Sequence, residues 1–68
     1  MPMVVYEALL ANTQSTDRVK AARRDIERVG GSVKLAPPTA TGMVLVTLTL
    51  PDRYTPQQFL PGLPFYPV

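Results

Sequence analysis

Apolar and polar residues alternate along some stretches of this chain and repeat at helical spacing along another. Met3-Val4-Val5-Tyr6-Glu7-Ala8-Leu9-Leu10 leads with β-branched and aromatic residues and is bounded by Asn12-Thr13-Gln14-Ser15, which predicts a strand. Val5, Glu7 and Leu9 point to one side of it; Val4, Tyr6, Ala8 and Leu10 point to the other. Val19, Ala22, Ile26 and Val29 then form one apolar stripe, which predicts a helix capped by Ser15 or Thr16. Asp17 would lie in its first turn and Arg28 in its last, both favoured by the helix dipole, and Gly30-Gly31 would end it. Ser32 to Ala36 alternates and predicts a half-buried strand, stopped by Pro37-Pro38. Thr39 to Gly42 reads as a loop. Met43 to Leu50 is the strongest strand, with Val44, Val46, Leu48 and Leu50 on one wholly apolar face.

Thr55-Pro56-Gln57-Gln58 starts a second, very short helix: Thr55 caps, Pro56 suits the first helical position, and Gln58 completes a capping box. Pro61-Gly62 stops it. Leu63 to Val68 carries Pro64 and Pro67, which permits an edge strand but not a central one. The predicted order is β-α-β-β-α-β. With short, right-handed connections this is a ferredoxin-like α+β sandwich, an antiparallel sheet with both helices on one face and strands one and three in its centre. Residues 1–68 form a single domain.

Two surfaces follow. With Val44, Val46, Leu48 and Leu50 under the helices, Met43, Leu45, Thr47 and Thr49 face outward beside a row of the first strand. A half-apolar open sheet suits a protein partner or a second copy of the chain, and Phe65, Tyr66 and Val68 of the last strand are candidates to extend it. On the first helix, Lys20, Arg23, Arg24 and Arg28 share the side opposite the apolar stripe, with Asp17, Asp25 and Glu27 interleaved. The simplest reading is a solvated face; contact with a phosphate backbone is the sharper one. No aromatic residue of the third strand could stack a base, which disfavours RNA reading by the sheet.

Composition narrows the chemistry. A chain of 68 residues buries only about 60% of its unfolded surface, so a second copy would add stability. It has no Cys and no His, which removes disulfides, thiol nucleophiles and the commonest general base and metal ligand. A formal charge of +2 is too mild to demand a nucleic-acid partner. The carboxylates show no paired spacing beyond Asp25 and Glu27, which face different ways on a helix. No metal site and no cofactor are expected, and no catalytic group except one alternative. Removal of Met1 would expose the secondary amine of Pro2, which can act as a base where its pKa is lowered. Residues 3–11 are too few to span a bilayer, and no secretory leader is evident. A cytoplasmic location is the default, with secretion left open.

Two resemblances sharpen these readings. A chain opening with Pro2, a strand and a helix is similar in outline to the four-oxalocrotonate tautomerase family. That resemblance implies keto–enol chemistry at Pro2, although Asn12-Thr13-Gln14 stands where the family has a Gly-Arg pair. The helix–Gly-Gly–strand junction from Arg23 to Val33, and the ending Pro61-Gly62-Leu63-Pro64-Phe65-Tyr66-Pro67-Val68, resemble subtilisin propeptides and their stand-alone inhibitor relatives. This second resemblance implies a non-enzymatic inhibitor or folding helper of a subtilisin-like serine protease, whose outer sheet face packs on protease helices. In that family a C-terminal tail enters the active-site cleft, and the segment here that would act so is Phe65 to Val68.

Overall fold

The computed structural model describes residues 2–68, and their side chains except those of 12–15. Four strands form one antiparallel sheet: β1 (Met3–Ala11), β2 (Ser32–Leu35), β3 (Met43–Pro51) and β4 (Tyr66–Pro67). One helix, α1 (Asn12–Arg28), covers one face. The sheet order is β2-β3-β1-β4. β1 and β3 pair along their whole length, from Met3 opposite Pro51 to Ala11 opposite Met43. β2 adds to β3, Ser32 to Leu35 lying opposite Thr49 to Val46, and β4 adds to β1 through Tyr66 opposite Glu7.

The core lies between α1 and the inner sheet face. Val46, Leu48 and Leu50 are fully buried and Val44 nearly so; Ala8 and Leu10 join from β1, Val33 from β2, and Val19 and Ile26 from the helix stripe. Burying each of the Val, Leu and Ile side chains among them contributes about 1.5–3 kcal/mol.

The helix starts earlier than expected. β1 runs straight into it at Ala11, which is extended and has no side-chain cap to offer. Ser15, Thr16 and Asp17 therefore lie within the helix, and its first turn holds no acid. The side chain of Ser15 is outside the described set. The other end fulfils expectation. Gly30 takes a φ of 89°, its N–H donates to the Glu27 carbonyl, and the Gly31 N–H donates to that of Ile26. These two hydrogen bonds satisfy two of the orphan carbonyls of the last turn.

The second helix is the main correction. Among the described residues its place is taken by a single 3-10 turn, Pro56–Gln58. Pro56 and Pro61 leave too few residues between them to nucleate an α-helix. The capping geometry survives in the turn: the Thr55 N–H donates to Gln58 Oε1 at 2.8 Å. Leu60 is buried against the core just after it. The domain is thus a small α+β fold with one helix on one face of a four-stranded antiparallel sheet. No described helix is long and apolar enough to cross a membrane.

Candidate interaction face

The outer sheet face is built by strand alternation and by register. On β3, Met43, Leu45, Thr47 and Thr49 alternate with the buried set and are half-exposed. Pairing sets Ala11 beside Met43, Leu9 beside Leu45, Glu7 beside Thr47 and Val5 beside Thr49. β2 contributes Lys34 beside Thr47 and Ser32 beside Thr49, both exposed. β4 contributes Tyr66 beside Glu7, and the Val68 N–H donates to the Val5 carbonyl at 2.9 Å, which continues the strand.

Two apolar bands result, with a polar row between them. One band holds Leu9, Leu45 and Met43; the other holds Val5, Val68 and Met3. The row reads Tyr66, Glu7, Thr47, Lys34 across the four strands. Among the described residues the large exposed hydrophobics are Met3 (44%), Val5 (38%), Leu9 (51%), Tyr66 (53%) and Val68 (74%). All five belong to this face.

Six of the seven residues expected at a partner surface are thus brought together: Met43, Leu45, Thr47, Thr49, Tyr66 and Val68. Phe65 is not. It alternates to the other side of the last strand, where it packs half-buried against the core. Sequence reasoning set a row of the first strand beside Leu45 without choosing which, and did not name Met3, Val5, Glu7, Leu9 or Lys34 as site residues. Their alternation was visible, but only the pairing with β3 puts them on the same face as Leu45.

The other candidates stand apart. Lys20, Arg23, Arg24 and Arg28 are all exposed on α1, on the far side of the domain from this face. The Arg28 guanidinium lies 3.6 Å from the Asp25 carboxylate, an exposed pair worth little. Pro2 is exposed at the end of β1, and its carbonyl accepts from the Asp52 N–H at 3.1 Å. The neighbouring Arg53 lies over the Tyr54 ring at 5.3 Å. An open groove of about 290 Å³ lies between α1 and the segment after the 3-10 turn, lined by Arg18, Ala21, Ala22, Asp25, Phe59 and Leu60. Pro2 does not line it.

No protein-family model, curated protein or solved structure matches the chain.

Proposed function

We propose that this domain is a non-enzymatic protein-interaction module that binds through its outer sheet face. One observation carries the reading: Met3, Val5, Leu9, Tyr66 and Val68 are exposed together on the face opposite α1. Apolar residues scattered singly over a surface need no explanation, whereas two apolar bands gathered on one open sheet face on either side of a polar row favour an association site. We also propose that the fold is a reduced ferredoxin-like sandwich. Supporting this are the central β1 and β3, the antiparallel order β2-β3-β1-β4, and the 3-10 turn at the position of a second helix. The propeptide-like form of the proposal has the same face covering helices of a subtilisin-like protease.

The test is Leu9→Asp, at a position half in solvent. Circular dichroism and the urea midpoint are expected to stay close to wild type. Association is expected to fall, measured by solution mass across a dilution series and by inhibition of a subtilisin-like protease panel. A folded Leu9→Asp chain that associates as wild type does would refute the sheet-face reading.

A further inference from the structure

We infer that the occupant of the outer sheet face is a second copy of the same chain, docked face to face about a two-fold axis. The inference rests on the sheet-face reading above and adds the partner and the register. The axis runs parallel to the strands, between β1 and β3.

The first argument is charge complementarity. The central row reads Tyr66, Glu7, Thr47, Lys34, with the acid on β1 and the base on β2. Two strand spacings, about 10 Å, separate them within one chain. Among the described residues neither has an ion-pair partner. A two-fold axis between β1 and β3 reverses this row. Lys34 of the second copy then stands across from Tyr66 and is offset from Glu7 by one strand spacing, about 5 Å measured across the strands, over the gap of about 10 Å between packed sheets. The Lys34 and Glu7 side chains project into that gap from opposite sides, so the lysine meets both the carboxylate and the ring face of Tyr66. The contact occurs twice, as an isologous interface requires.

The apolar rows obey the same operation. Leu9 and Leu45 are neighbours on β1 and β3, so reversal lays Leu9 of each copy over Leu45 of the other. Val5 and Thr49 exchange in the same way. An axis perpendicular to the strands would instead set Glu7 over Glu7 or break the apolar match.

The second argument is area. The paired residues of the four strands cover roughly 400 Å² of flat sheet per copy at standard strand spacing and rise. Projecting side chains raise this, which brings two copies to the order of 1,000 Å², the lower bound of specific interfaces. The dimer is therefore expected to be weak and to dissociate on dilution. Edge-to-edge pairing through β2 is the poorer alternative. That edge spans four residues, carries Lys34 and runs into Pro37-Pro38, which are the devices that block strand addition.

Sedimentation of the full chain across a dilution series tests this, using Glu7→Lys, Lys34→Glu and the double exchange. Wild type should dimerise reversibly at micromolar to sub-millimolar concentration. Each single reversal should weaken dimerisation about tenfold, since it sets like charges together at two places. The double exchange should restore it. A chain that stays monomeric throughout overturns the second-copy proposal, yet leaves the face open to a different protein; inhibition of a protease by that monomer would identify one. A dimer that the double exchange fails to restore overturns the register. A dimer unaffected by Leu9→Asp overturns both this inference and the sheet-face reading beneath it.

Discussion

Gly31 lies against the backbone of Thr49, so closely that a Cβ at position 31 would stand 2.6 Å from the Thr49 carbonyl oxygen. The same atom would lie 3.0 Å from Ile26 on the helix and 3.0 Å from Leu50 on the sheet. The two glycines after α1 thus serve different ends. Gly30 supplies a left-handed φ in open space; Gly31 lets the helix terminus approach the central strand.

Gly31→Ala is therefore expected to cost about 2–3 kcal/mol, because the carbonyl it meets belongs to a paired strand and cannot yield freely. Gly30→Ala should cost only about 1 kcal/mol, from the strained φ alone. Urea unfolding of both variants checks the order. Equal costs would show that the close approach to Thr49 carries no weight.

Leu48 and Thr47 are adjacent and face opposite ways. Leu48 is fully buried, so Leu48→Ala should lose about 2–5 kcal/mol and Leu48→Asp should unfold the domain. Thr47 lies between Glu7 and Lys34. Thr47→Asp places a carboxylate directly opposite Glu7, at a cost up to about 1 kcal/mol, partly offset by Lys34. The chain should stay folded by circular dichroism and associate more weakly. If Thr47→Asp unfolded it, the two sheet faces would be exchanged.

Leu60 anchors the segment that stands where a second helix was expected, and it is 1% exposed. Arg18 reaches from α1 to the carbonyl of Pro61 on the same segment. Leu60→Ala should destabilise by about 2–4 kcal/mol, and Arg18→Ala by about 1 kcal/mol. Hydrogen exchange should then rise in β4 before β3, since β4 is held by few strand bonds and by this anchor.

The basic side of α1 should not bind nucleic acid. Lys20, Arg23, Arg24 and Arg28 share it with Asp17 and Glu27, and Arg28 pairs with Asp25. A titration with single-stranded RNA at low salt is expected to show no salt-dependent binding. Binding that Arg24→Glu abolishes would establish a phosphate contact there instead.

Much of this architecture was legible in short windows of the chain. The apolar stripe from Val19 to Val29, the Gly30-Gly31 stop, the wholly apolar side of Met43 to Leu50 and the Thr55–Gln58 cap are all local patterns. Local patterns follow from backbone period and turn chemistry, which a residue shares with its neighbours in sequence. Three features needed the folded chain. The helix begins at Asn12 because β1 feeds it directly, whereas the side-chain capping signals at Ser15 and Thr16 pointed one turn later. The second helix is a 3-10 turn, because the prolines confine it and Leu60 docks at once. The outer face depends on pairing between β1 and β3, some 40 residues apart in sequence. Each strand shows which of its residues share a side, but only register decides that Leu9 joins Leu45, that Glu7 and Lys34 enter one row, and that Phe65 turns to the core while Tyr66 faces out.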